Sequence, residues 1–211
     1  MRVIAIDGPA GAGKSTVARA LAARLGLEYL DTGAMYRAVT FAAMRRGIDT
    51  SDTDRVTALA EAVALEVGEH GVLVDGIDAT TEIRSPAVTS AVSAVAANSA
   101  VRSEMVRRQR AWAGERGGGV LEGRDIGSVV FPEADLKLYL TAAPRVRAER
   151  RVAEAGGDVD EIAAAIERRD QLDSSRSDGP LVEAHGAIVV DTTGLSIEQV
   201  LERIERLLEQ E

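Results

Sequence analysis

A chain of 211 residues with 45% hydrophobic and 3% aromatic residues is enough for one domain, or a core with small inserts, packed from Ala, Val, Leu and Ile. The absence of cysteine excludes disulfides, thiolate metal sites and cysteine nucleophiles. A net charge of −9 argues against non-specific binding to nucleic acid or membrane. With no 18-residue apolar run and no signal peptide, the expectation is a cytoplasmic protein.

The chain opens on a short apolar run, Arg2 to Asp7, that reads as a core strand. It leads into Gly8-Pro9-Ala10-Gly11-Ala12-Gly13-Lys14-Ser15-Thr16 and then a helix with Val17, Leu21 and Leu25 at four-residue steps. Strand, glycine-rich loop and helix form the context in which G-x-x-x-x-G-K-[ST] cradles phosphate. Backbone N–H groups turn inward around anionic oxygens, and the helix N-terminus adds partial positive charge. Lys14 can reach the terminal phosphates and Ser15 can hold Mg²⁺. Of 25 basic residues only Lys14 and Lys137 are lysine, so a compact point charge stands where phosphate would fit.

Leu27 to Leu30 reads as a strand, and Asp31-Thr32-Gly33 opens a helix through Arg37 to about Arg46, with Gly47 as its stop. Asp52 to Val63 reads as a helix. Three short strand-like pieces, 64–67, 72–75 and 79–81, then suggest a small antiparallel meander inserted into the βα alternation. Ser85-Pro86 starts a helix to about Ala97, and Ser99 is expected to cap the next, which carries Arg102, Arg107, Arg108, Arg110 and Trp112. A turn is expected at Gly117-Gly118-Gly119, followed by a strand and by Gly123-Arg124-Asp125-Ile126-Gly127, where two glycines bracket an acid and a base. Leu136 to Leu140 is a core strand. Pro144 starts a helix with Arg145, Arg147, Arg150 and Arg151, and a second helix holds Arg168 and Arg169. The two form an arginine-rich hairpin of the kind that can act as a lid, although interleaved glutamates imply that some of these arginines are structural. Ala187 to Asp191 is the last strand. Its acid has the look of a metal-holding carboxylate but is expected to be a decoy or part of a base-flanking loop. Ser196-x-x-Gln199 is a capping box before an amphipathic helix bearing Ile197, Val200, Leu201, Ile204, Leu207 and Leu208.

A phosphate loop alone leaves several classes open. A guanine-reading N-K-x-D is absent, and the chain is short for an ATPase motor. A small kinase remains, which needs a second anionic substrate, cations on that side and a lid. From Val3 to Leu208 the chain resembles the cytidylate (CMP) kinases of bacteria, a branch of the nucleoside monophosphate kinases. The resemblance rests on G-P-A-G-A-G-K-S-T at 8–16, L-D-T-G-A-M-Y-R at 30–37, D-G-I-D-A-T-T-E-I-R-S-P at 75–86, V-R-S-E-M-V-R-R-Q-R at 101–110, E-G-R-D-I-G-S-V-V-F-P at 122–132, and R-R-D-Q-L-D-S-S-R at 168–176.

The resemblance implies an α/β fold: a phosphate-loop NTPase-type parallel sheet flanked by helices, with an antiparallel insert in the nucleotide-acceptor region and a helical lid. Core would span 1–31, 117–145 and 186–211, the acceptor region 32–116, and the lid about 146–185. ATP would lie on residues 8–16, with Arg150 as a softer contact to donor phosphates or adenine. Arg37, Arg124 and Arg176 would hold the CMP phosphate; Ser93, Arg102 and Asp125 would read cytosine; Thr32 would stand near the nucleotide; Arg169 and Asp173 would serve ribose and lid. Lys14, Arg124 and Arg176 would be catalytic through charge neutralisation, with Mg²⁺ on Ser15. Leu172 and Ser174 replace arginines found in some members, leaving fewer cations in the lid. The implied partners are ATP and CMP or dCMP, the implied state a monomer. Open alternatives are a kinase for UMP or another acceptor, and a nucleotide switch without catalysis.

Overall fold

The computed structural model describes residues 1–68 and 71–208; the tip of the expected insert (69–70), the last residues of the expected core (209–211) and the side chain of Leu208 lie outside them. In chain order the elements are β1 (Arg2–Asp7), α1 (Lys14–Leu25), β2 (Tyr29–Asp31), α2 (Thr32–Arg45), α3 (Thr53–Ala62), β3 (Leu65–Gly68), β4 (Gly71–Val74), β5 (Ile77–Asp78), α4 (Pro86–Ala97), α5 (Ser99–Arg116), β6 (Gly118–Gly123), β7 (Leu136–Thr141), α6 (Pro144–Ala155), α7 (Val159–Ser174), β8 (Ile188–Asp191) and α8 (Ile197–Leu208).

Five parallel strands lie in the order β2-β6-β1-β7-β8, and β3-β4-β5 form a separate antiparallel sheet. The central strand alternates its side chains between two cores. Val3 and Ala5 join Met35, Val39, Leu59, Val95 and Met105 from α2 to α5. Ile4 and Ile6 join Val17 and Leu21 of α1 and Val200, Leu201 and Ile204 of α8. A parallel sheet covered on both faces leaves one place for a ligand, the carboxyl edge, where β1, β2 and β6 deliver their loops.

Three local expectations are corrected. The turn before β6 is Gly117 alone; Gly118 and Gly119 already pair with Arg2 and Val3 of β1. Both need to be glycine, because a Cβ at Gly118 would lie 1.9 Å from the Arg2 carbonyl oxygen and one at Gly119 2.6 Å from the Trp112 ring. Helix α5 is capped by Asn98, whose side-chain oxygen accepts from Ala100 N–H at 3.0 Å, whereas Ser99 donates to Asp178. The third insert strand is Ile77–Asp78, not 79–81. Asp78 accepts from the Thr80 N–H and hydroxyl, and that turn draws the chain out of the ladder.

Two arginines of α5 hold backbone carbonyls of neighbouring segments. Arg110 donates to the Val130 and Val129 carbonyls at 2.9 and 3.0 Å. Arg108 donates to Val63 and Ala60 carbonyls at 2.9 and 2.8 Å, capping the end of α3. Glu104 orients it at 2.6 Å, and the hydrogen bond from Arg107 first, then that from Arg108, holds the Glu104 carboxyl down to about 2 against the rise that burial causes. Arg108→Met should therefore cost about 2 kcal/mol in urea unfolding at pH 7. A depressed carboxylate contributes above its unfolded pKa and loses that contribution as pH falls through the folded one. The wild-type advantage over the variant should accordingly shrink between pH 4.5 and 2; an advantage constant with pH would show that Glu104 does not hold Arg108 in place.

Candidate functional site

Between β1 and α1 the chain turns through residues 8–13 with positive φ at Gly8, Gly11 and Gly13 (145°, 77° and 87°), a path open to glycine. Gly13 precedes α1 without a side-chain cap, so the first N–H groups of the helix stay free for an anion. Lys14 is buried and its Nζ donates to the Pro9 carbonyl at 2.8 Å. Desolvation, reinforced by the charge of Arg124, holds its pKa well below the usual lysine value. Ala10, Lys14 and Ser15 border a cavity of about 660 Å³, while Thr16 is exposed.

The opposite walls bring the other candidates to the same cavity. Thr32, Arg37, Ser93, Arg102, Arg124, Asp125, Arg169, Asp173 and Arg176 all line it. Arg37, from α2, donates to the Ile83 carbonyl at 3.0 Å and the Thr89 hydroxyl at 2.8 Å, and burial lowers its pKa to about 10. Thr32 donates to the Glu122 carbonyl at 2.6 Å. Asp173, near the end of α7, is fully enclosed; one oxygen takes Arg124 Nε at 2.9 Å and the other pairs with Arg176. Arg169 has a buried Nε without a hydrogen-bond partner, and desolvation, with Arg124 and Arg37 nearby, brings its pKa to about 9. Arg102 and Asp125 form a buried ion pair deeper in the acceptor wall, with the Gly179 backbone packed over it. Burial nevertheless raises the Asp125 carboxyl, against the pull of Arg102 and Arg176.

Arg150 takes a different place. It lies outside the cavity lining, donating to the Thr192 hydroxyl and carbonyl at 2.9 and 2.8 Å, on the outer side of the loop near Gly13. Thr192 in turn donates to the Ala12 carbonyl at 3.2 Å. Arg151, its neighbour, does line the cavity and pairs with Glu154.

The sequence reading passed over two carboxylates. Glu122 is the penultimate residue of β6, the strand beside β1, and faces the cavity next to Lys14 and Ser15. It is 4% exposed; Tyr29 donates to it, and desolvation raises its pKa against the pull of Lys14, Ser15 and Tyr29. A buried carboxylate beside the loop hydroxyl, lacking full charge compensation, is a donor set that fits a divalent cation. Its signal was an apolar run ending in an acid, the same signal given by Asp191, and only strand order separates the two. Asp191 lies on the edge strand, exposed, and accepts from Thr193 N–H at 2.9 Å. The second is Asp7, buried at the end of β1. Among the described residues no group of three or more His, Cys, Asp or Glu could hold a metal alone, and no helix is long and apolar enough to cross a membrane.

The family model described as cytidylate kinase matches residues 4–210. The cytidylate kinase of Corynebacterium efficiens is 48% identical, with 98% of this chain and 94% of that protein covered. That of Solibacter usitatus is 46% identical, with 98% and 91% covered. Among solved structures, a gluconokinase from Sinorhizobium meliloti aligns over 99% of this chain and 94% of its own with a TM-score of 0.51 at 15% identity, a likeness of fold.

The cluster of cations around the cavity predicts an anion response that can be read without turnover. Inorganic tripolyphosphate should raise the melting temperature by mass action on the folded state. In Arg169→Met the rise should fall by at least half, since the free Nε and its charge are lost. Equal shifts in both proteins would show that Arg169 does not face the anion.

Proposed function

Because the chain belongs to the cytidylate kinase family, we propose that it transfers the γ-phosphoryl group of ATP directly to the phosphate of CMP or dCMP, giving ADP and CDP or dCDP. The observation that carries this reading is the buried Arg102–Asp125 pair on the same cavity as the phosphate loop, with Arg37, Arg124, Arg169 and Arg176 sharing that cavity.

The donor triphosphate lies on the free N–H groups at the start of α1, and Lys14 turns from the Pro9 carbonyl to its terminal phosphates. Desolvation that disfavours the lysine charge is relieved when phosphate oxygens arrive. Ser15 and Glu122 are the residues that would hold Mg²⁺, which when bound neutralises charge on the donor phosphates. Arg150, tied to Thr192 outside the loop, is placed to flank the donor rather than to reach the reacting phosphates.

Arg37, Arg124 and Arg176 take the acceptor phosphate, which guanidinium can do bidentately. Cytosine offers an amino donor for Asp125 and ring acceptors for Arg102 and Ser93. For the base to enter, the Arg102–Asp125 pair opens and each partner exchanges the other for a complementary edge. Asp173 does the same with the ribose: the two arginines it now holds turn toward phosphate and free an oxygen for a hydroxyl. Thr32 stays on the Glu122 carbonyl and shapes the wall near the nucleotide. The attacking group is already an oxyanion, so no side-chain base is needed. What the protein supplies is alignment and cancellation of repulsion between two anions. Leu172 and Ser174 are exposed and add no charge, so lid closure relies on Arg169, Arg176 and Arg151.

A coupled ADP-release assay with ATP, Mg²⁺ and CMP, dCMP, UMP, AMP or GMP tests the reading. Fast turnover is expected with CMP and dCMP only. No turnover with any of the five would overturn the proposal, and UMP used as well as CMP would remove Asp125 as a discriminator. Lys14→Ala should abolish turnover. Asp125→Ala should raise the KM for CMP about tenfold or more while leaving that for ATP within about twofold, the cost of one hydrogen bond to a charged group.

A further inference from the structure

We propose that Asp7 is a positioning residue of the acceptor site: reaching across from β1, it caps the turn that follows Asp125 and so leaves the Asp125 carboxylate free to face the base. The parallel ladder between β1 and β6 ends with Asp7 opposite Gly123. Beyond it, Arg124 and Asp125 lead into a tight π-type turn, Ile126–Val130. The first N–H groups of any helical turn have no partner within it. The residue in the capping position is Asp125, a type that usually accepts those bonds itself. Here it makes no such bond, because its carboxylate is turned to Arg102 and the cavity.

Asp7 supplies the missing acceptors. One of its oxygens accepts from Ile126 N–H at 2.8 Å and the other from Gly127 N–H at 2.7 Å. It is 3% exposed and forms no salt bridge among the described residues. Burying a carboxylate without a cation is costly. Burial indeed pushes its pKa up to about 6, with the nearby Asp125 charge adding to the rise against the two N–H bonds and Lys14. Capping alone would be met more cheaply by Asp125 in its own turn. A borrowed carboxylate lets Asp125 leave the cap while the backbone that aims it stays fixed.

The inference rests on the reading of Asp125 as the base acceptor, and the test separates the two. Asp7→Asn keeps the shape but turns an amino group or a single oxygen toward two N–H donors; Asp7→Ser keeps one acceptor. Each should raise the KM for CMP about tenfold or more while changing that for ATP less than about twofold. In an Asp125→Ala background the same substitutions should change the CMP KM less than about twofold, because the residue through which Asp7 acts is gone. Equal losses for both substrates, or full additivity, would overturn the inference. An unchanged CMP KM in Asp125→Ala alone would instead overturn the base reading. Should the Asp7 variants not fold, amide exchange decides. In Asp125→Ala the Ile126 and Gly127 amides should stay as protected as in the wild type, since Asp7 holds them, and fast exchange there would refute the cap.

Discussion

The structure depends on positive charge held out of water. Lys14, Arg37 and Arg169 all have pKa values pressed downward by desolvation, and each also feels a neighbouring guanidinium. Asp173 pairs with Arg124 and Arg176 and offsets Arg169 only in part, and Asp125 is spent on Arg102. The remaining imbalance is a standing preference for anions. Two phosphate groups brought together there relieve the cations of each other, and the cations relieve the phosphates. A fold that simply paired its charges would lose this bias, so the shortage of acids in the cavity is as much a part of the site as the arginines.

That shortage is local, which reconciles it with a chain of net charge −9. Many acids lie elsewhere: Glu149 pairs with Arg145 on the exposed face of α6, and Glu198 and Glu205 pair with Arg24 across α1 and α8. Exposed pairs of this kind contribute little to stability. They do keep the outer surface from competing with the cavity for polyanions. Long-range attraction is weak in such a protein, and selectivity rests on burial.

The glycine-rich loop, the capping box at Ser196 and the arginine-rich hairpin were legible because each is a local pattern with a local cause. Strand order was not. Nothing in the residues says that β6 rather than β8 lies beside β1, so Glu122 and Asp191 looked alike until the sheet separated them. Nor could the sequence distinguish a turn glycine from a strand glycine at 117–119, since the requirement at Gly119 comes from the distant Trp112 ring. Asn98 and Ser99 are both good caps, and the choice fell to Asn98 because Ser99 is drawn to Asp178 from the lid side. The site residues were placed by resemblance over long motifs, and tertiary pairing alone tells which arginines are free. Arg147, one of the hairpin arginines, is locked to Asp170 and the Ala10 carbonyl, whereas Arg169 keeps an unpaired nitrogen.

These long-range pairings make the hairpin more than a cover. Asp170 accepts from Ala10 N–H at 3.2 Å and Arg147 donates to Ala10 oxygen at 3.1 Å, so one end of α7 is fixed to the donor loop. Three residues on, Asp173 joins Arg124 of the loop after β6, and the following segment meets the Arg102–Asp125 pair through Gly179 and Ser99 through Asp178. A single helix end thus touches the loops after β1 and β6 in succession. A phosphate drawing Arg124 or Arg176 away from Asp173 would alter the same helix that Asp170 anchors to the loop. Rigid elements with a few exchangeable ion pairs between them can have two discrete arrangements, which a continuous hydrophobic contact would not give. The small third core of Ala10, Ala148 and Ile166 packs the loop against both α6 and α7 without specifying a charge partner, so the ion pairs alone decide which arrangement is held.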